Sequence, residues 1–272
     1  MTISRTQYPK SRAAARLVAG ALVPLILIMM WELITRIAGS IFFPPPSDIF
    51  SNLLSMLFFS ADAAVADYLS GDVAPSLARM VAGWGLAIVL GVAIGSAIGL
   101  SVAWSSALFP VLNFLRSTPG PALIPVFLVV LGPDDSMRVA LIAFGAVWPV
   151  LLNTMEGVRG ADPTQIATGR VFRLPPLARF FRIILPSAMP RIFAGMSVSL
   201  AIAMVLMVVS ELTVALDGIG YQLQRAQVTF RFLDMWSGIL LIALLGLGLT
   251  ALFGAWERRS LAWYRAAQRD SD

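Results

Sequence analysis

Apolar residues run along this chain in long unbroken blocks, separated by short stretches rich in Arg, Asp, Gly and Pro. A helix that crosses the hydrocarbon of a bilayer needs about 20 mostly apolar residues, because lipid offers no partner to backbone N–H and C=O groups. Six blocks meet that requirement: Leu17 to Ile37, Leu77 to Val102, Leu108 to Leu131, Val139 to Met155, Ile192 to Leu212 and Met235 to Trp256. The pattern predicts an all-α membrane protein with six transmembrane helices. One membrane domain, 17–256, is expected between an N-terminal tail, 1–16, and a C-terminal tail, 257–272. The first block is too long for a signal sequence and no small-x-small cleavage site follows it, so it is expected to remain as a helix.

Composition agrees with this reading. The 272 residues are 58% apolar and 13% charged, about half the charged share of roughly 25% in soluble proteins. The absence of Cys and His removes disulfide frameworks, thiolate nucleophiles, soft metal sites and the usual proton shuttle. An intramembrane enzyme would have to rest on Ser, Asp, Glu or Lys, and no convergent set stands out. The net charge of +5 does not point to nucleic acid, since no basic stripe carries interleaved aromatics.

The charge instead orients the bundle. Arg5, Lys10, Arg12 and Arg16 precede the first block, Arg258, Arg259, Arg265 and Arg269 follow the last, and Arg159, Arg170, Arg173, Arg179, Arg182 and Arg191 lie between the fourth and fifth. In a six-span bundle these segments share one side, which the positive-inside rule assigns to the cytoplasm. The long loop from Gly39 to Pro75 has no Lys or Arg but carries Asp48, Asp62, Asp67 and Asp72, as an outer loop should. Gly91, Gly95 and Gly99 recur at intervals of four, forming a smooth stripe for helix packing.

The segment 162–186 is patterned too strongly for a connector. Asp162 suits a helix N-cap and Pro163 the first helical position; Ile166 and Arg170 share a face, and Leu174, Pro175 and Pro176 end the piece. A second short helix, Leu177 to Ile184, is expected to stop at Pro186. Its Phe180 and Phe181 beside Arg179 and Arg182 fit either an interfacial helix touching lipid phosphates or a knob offered to a cytoplasmic partner.

Several runs resemble the permeases of bacterial ATP-binding-cassette (ABC) importers, and within them the nitrate, sulfonate, taurine and bicarbonate group. They are Asn153-Thr154-Met155-Glu156-Gly157-Val158-Arg159 with Asp162-Pro163 and Ile183-Ile184-Leu185-Pro186; Phe43-Pro44-Pro45-Pro46-Ser47; Ser76-Leu77-Ala78-Arg79; Leu115-Arg116-Ser117-Thr118-Pro119 with Ala122-Leu123-Ile124-Pro125; Gly132-Pro133; and Ser210-Glu211-Leu212. Their order and spacing carry the likeness, which covers nearly the whole chain. It implies a type I importer permease bundle in the bacterial inner membrane, with both termini cytoplasmic and 162–186 a coupling loop. The pore would carry a small polar or anionic solute. Its partners would be a cytoplasmic ATPase dimer holding ATP and Mg, an external solute-binding protein, and a second permease copy, identical or different. This chain itself would need no cofactor. Its one lysine, Lys10, is followed by Ser11 but has no glycine among residues 1–9 before it, so a Gly-rich phosphate-binding loop ending in Lys-Ser or Lys-Thr is ruled out. The rival, an ion-coupled secondary transporter, commonly carries internal repeats, and no convincing repeat is present.

By the resemblance, ATPase coupling falls to Asp162, Ile166, Thr168, Gly169, Arg170, Phe172, Leu174, Leu185 and Pro186. There is one departure: the loop's Glu-Ala-Ala positions read Ala167-Thr168-Gly169 here, and the glycine expected after them is Arg173. Either another group supplies the missing carboxylate contact, or a second, different permease chain does. Arg116, Asn153, Met204, Met207 and Glu211 are candidates for the translocation path, and Arg138 is a second cation able to attract an anion or to anchor the membrane interface. Glu32 lies four residues from Arg36 and Glu156 three from Arg159, so both carboxylates are expected in ion pairs.

Overall fold

The structure is a computed structural model that describes residues 10–59, 65 and 67–269; every regular element among them is helical. Arg5 of the expected N-terminal tail and Asp62 lie outside the described residues, as do the side chains of Lys10, Arg12, Arg16, Arg265 and Arg269. Helix α1 spans Lys10–Ala38, α2 Pro46–Leu54, α3 Ala74–Gly99, α4 Val102–Arg116, α5 Ile124–Leu131 and α6 Asp135–Arg159. They are followed by α7, Pro163–Val171, α8, Pro176–Arg179, α9, Leu185–Val214, α10, Ile219–Val228, α11, Phe232–Ser260, and α12, Ala262–Arg269.

Four continuous helical stretches are long and apolar enough to cross a membrane: Leu69–Gly99, Asp135–Arg159, Pro176–Val214 and Phe232–Ser260. A fifth crossing arises if α4 and α5 make one span, although they are bent by 80°. The expected straight helix from Leu108 to Leu131 is therefore broken. Pro119, Pro121 and Pro125 remove backbone donors within seven residues, and a short 3-10 turn at Gly120–Leu123 fills the corner. The expected first crossing falls on α1, whose side chains before Leu22 are outside the description; from there its apolar residues face outward.

One other expectation needs correction. The short helix after Pro176 does not stop at Pro186. It passes through a wide π turn at Phe180–Ile184, where Leu185 N donates to Phe180 O, and runs straight into α9. The wider turn accommodates Pro186, which has no N–H to give and would crowd the carbonyl four residues back in a tighter helix. The tail from 257 is helical through Arg269. The stretch 39–75 contains α2, which lies against α11 with Asn52 donating to Asp234 and Ser237 at 3.0 Å each.

The core is α6 packed between α3 and α9. Lipid tails are as apolar as leucine, so helices in a bilayer hold together by close contact rather than by expulsion of water. Glycine permits that contact. A Cβ at Gly91 would stand 2.8 Å from Val150 Cβ, one at Gly95 2.5 Å from the Leu151 carbonyl oxygen, and one at Gly99 2.8 Å from that of Met155. From the other side, a Cβ at Gly195 would stand 2.7 Å from Pro149 O. The expected stripe on α3 is thus a packing face. Glu32 pairs with Arg36 at 2.6 Å as expected, and also accepts from Ser47 N, tying α1 to the start of α2.

Gly95→Val is expected to destabilise the bundle by about 1–3 kcal/mol through overpacking, while Gly85→Ala, where a Cβ meets nothing within 4 Å, leaves thermal unfolding in detergent unchanged. Equal melting of both variants would refute this packing account.

Candidate functional site

Three polar regions interrupt the apolar bundle. The first is the arginine-rich loop. Asp162 caps α7 as expected, its side chain accepting from Thr164 N at 2.8 Å. Thr168 Oγ1 bonds Thr164 O, Ile166 turns toward the core, and Gly169 sits against Ile183 and Arg179. After Val171 the chain turns through Phe172 into Arg173, whose φ of 54° lies in the left-handed region. Arg173 N bonds Arg170 O and Leu174 N bonds Gly169 O, the two bonds of a Schellman stop, whose left-handed position favours glycine. Arg173 is therefore the residue that departs from the glycine expected of the resemblance, at the point where the backbone calls for one. Val171 and Phe172 are left 79% and 75% exposed at the tip, and Arg170 is exposed beside them. Thr168, Gly169, Phe172, Leu174 and Pro186 line a cleft of about 950 Å³ that Trp263 and Tyr264 of α12 close on one side. Leu185 is half-buried against the core.

The second region is a cleft of about 500 Å³ between α4, α6 and α9. Pro149 lies in the middle of α6 and removes the N–H that would bond the Gly145 carbonyl. Arg116, Asn113, Gly145, Trp148, Pro149 and Asn153 line this cleft, so the structure brings two of the path candidates, Arg116 and Asn153, together. Asn153 Nδ2 donates to Pro149 O at 2.8 Å. Glu156 reaches the same cleft, but its partner is Arg191 at 2.9 Å rather than the expected Arg159. An (i, i+3) pair at the helix end loses here to an arginine presented across the groove by α9.

The other path candidates lie elsewhere. Met204 packs over Gly246 of α11, and Met207 is buried in the core. Glu211 belongs to the third region, a charge cluster at the aspartate-rich end. It is fully buried, accepts from Ser76 Oγ at 2.8 Å and Gly220 N at 3.0 Å, and pairs with Arg79 at 3.2 Å. Arg79 is 5% exposed and also reaches Asp135 at 2.7 Å and Asp217 at 2.8 Å. Arg138 is buried too, pairing with Asp135 and donating to Val214 O, so it neither anchors the interface nor faces the cleft. Asp72 accepts from Gly218 N and Gln222, completing the tie between α3, α6, α9 and α10. A Cβ at Gly218 would fall 2.6 Å from the Glu211 carboxyl, and its φ of 106° also requires glycine.

Sequence reasoning saw Arg79 only as part of a motif and did not anticipate its partners. An arginine three residues into an apolar block was the available signal; that its carboxylates come from residues 135, 211 and 217 was not legible.

Because Glu211 is fully buried and would lose its one cation, Arg79→Ala should cost about 3–5 kcal/mol, while Glu211→Ala, which leaves Arg79 paired with Asp135 and Asp217, should cost less. In a double-mutant cycle read by thermal unfolding, the pair should cost clearly less than the sum; strict additivity would mean the two do not interact. Arg173→Gly should stabilise the loop by about 1 kcal/mol by relieving the left-handed strain, seen as slower amide exchange in α7; faster exchange would contradict the assignment.

The sequence profile of the binding-protein-dependent transport system inner membrane component matches residues 87–261. A putative aliphatic sulfonates transport permease from Bacillus subtilis is 30% identical over 246 residues, 90% of this chain and 87% of that protein. A bicarbonate transport system permease from Synechocystis is 32% identical over 71% of each chain. A nitrate import permease from Leptolyngbya laminosa is 30% identical over 67% of this chain and 66% of its own. In fold, a crystal structure of an amino acid ABC transporter with histidines superposes with a TM-score of 0.56 at 18% identity, over 74% of this chain and 98% of that one. With half of its length and more inside the profile, the chain belongs to the family of binding-protein-dependent transport system inner-membrane components, the membrane permeases of ABC importers.

Proposed function

We propose that the chain forms half of the translocation pore of an importer for a small anion or polar solute of the sulfonate, nitrate or bicarbonate kind, as the names of its relatives suggest. ATP is hydrolysed on a separate cytoplasmic ATPase pair, an external binding protein delivers the solute, and a second copy of the chain completes the pore. Both termini and 162–186 face the cytoplasm, in keeping with the arginines of the loop and the aspartates of the opposite end. Family membership favours this over ion-coupled transport.

The observation that carries the reading is the tip of α7. Its backbone is fully bonded by the Asp162 cap and the Schellman stop, yet Val171 and Phe172 stand exposed on it. A fixed helix end with an uncovered aromatic is the shape of a knob for a socket on another protein. Gly169 lets the same helix press on Ile183 of the π turn, through which a push on the knob reaches α9.

In proteoliposomes holding the whole complex, Phe172→Asp with Leu174→Asp should cut solute-stimulated ATP hydrolysis and uptake at least tenfold, with unchanged melting of the isolated chain. Wild-type coupling in that variant would sink the reading.

A further inference from the structure

Arg116 ends α4 in the cleft beside Pro149 of α6, which it lines together with Gly145 and Trp148 at the middle of that helix. Among the described residues it makes no ion pair or hydrogen bond, whereas Arg79 and Arg138, near the membrane edge, are both held by carboxylates. A guanidinium facing hydrocarbon at the centre of a helix costs about 2.5–3.5 kcal/mol on insertion scales, and nothing here offsets it. This face of the bundle is therefore turned to water or protein. A different cleft, of about 740 Å³, behaves as a lipid-facing groove should: Ile88, Val92, Leu177, Phe180 and Phe181 line it without one charge.

The chemistry beside Arg116 is one-sided. Trp148 Nε1 is buried and has no acceptor, although its ring is fixed edge-on to Phe144 at 5.5 Å. Asn113 offers an amide from the preceding turn of α4. Asn153 spends one of its two amide hydrogens on Pro149 O, and Glu156 is taken by Arg191, so the uncommitted donors gather toward the Arg116 end of the cleft. We infer that Arg116 and Asn113, beside the Trp148 ring, form an oxyanion-binding station in the pore wall, holding the solute by a singly charged group such as a sulfonate, nitrate or carboxylate. The inference rests on the pore reading above. One guanidinium with no second free cation in the lining suits a monoanion, and a forked donor suits paired oxygens. Lipid headgroups carry the same chemistry but lie at the bilayer surface, well away from the centre of α6.

The test uses the full chain in phosphatidylcholine nanodiscs, with equilibrium dialysis against labelled methanesulfonate, nitrate and bicarbonate, sulfate as the dianion, and tryptophan fluorescence in parallel. At least one monoanion should bind saturably and at least tenfold tighter than sulfate. Arg116→Gln, which breaks no hydrogen bond or ion pair, should melt as wild type and weaken binding tenfold or more, with Arg116→Lys between the two. Trp148→Phe should remove the fluorescence change. No saturable binding of any of the three, equal binding by Arg116→Gln, or binding only in discs with anionic lipid would overturn the station. In the assembled transporter, Arg116→Gln should raise the half-saturating solute concentration at least tenfold. An unchanged value would overturn the station and leave the pore reading standing, whereas a wild-type complex without ATP-dependent uptake would remove the pore reading itself.

Discussion

The closeness of α6 to its neighbours is the constraint on which the rest of the molecule depends. In lipid there is no hydrophobic gain from bringing apolar helices together, so contact must come from shape. Gly91, Gly95 and Gly99 of α3 and Gly195 of α9 let backbone reach backbone on two sides of α6. With α6 held this way, its two ends and Pro149 at its middle are fixed in space. The charge cluster, the arginine-rich loop and the Arg116 cleft each attach to one of those three places.

The ends of α9 carry the two specialised regions. From Pro176 to Val214 the chain is helical for 39 residues, roughly 58 Å at about 1.5 Å per residue. One end receives α7 through the π turn; the other ends in Glu211, clamped by Ser76, Arg79 and Gly220. Such a rod transmits displacement best when neither end slips. The buried cluster adds little to stability compared with apolar packing of the same volume, but it fixes the position of α9 relative to α3 and α6. Between the two ends, Leu206 presses on Gly145 of α6 and on Gly120 at the broken span. A shift of α9 is therefore felt at Gly145, in the wall of the Arg116 cleft.

Much of this was legible from the residues. Length and apolarity located four of the blocks as continuous spans and the third as a bent pair, because the rule behind them is the simple need of a backbone for internal hydrogen bonds in lipid. The Asp162 cap and the glycine stripe were readable for the same reason: each is a local requirement met by a local residue type. The failures have a common cause as well. The break at Pro119 and the continuation past Pro186 are both proline effects, and a proline alone does not say whether the chain will bend through 80° or widen into a π turn. Contacts across the bundle decide that. Glu156 illustrates the limit: Arg159 is its sequence neighbour, but Arg191 is its partner. So does α10, whose modest apolarity hid a helix that closes over Glu211 through the amide of Gly220.

The altered loop positions acquire a physical meaning once α7 is seen in place. Ala167 is exposed, Thr168 bonds its own helix, and Gly169 is buried where a Cβ would meet Ile183 at 2.7 Å. The three positions thus do different jobs: the third demands a small residue for packing, while the first looks outward and plays no part in the fold. Loss of a carboxylate at Ala167 changes the docking surface and leaves the helix intact. The lost glycine is the reverse case. Arg173 keeps the left-handed stop at some cost in strain and adds a cation at the rim of the knob. The two changes act in the same direction, since one removes a negative charge and the other adds a positive one within the same two turns. On the docking role proposed above, a partner surface that fits this loop would be more acidic than one that fits the carboxylate-bearing pattern, by about two charges as a sum of these two substitutions.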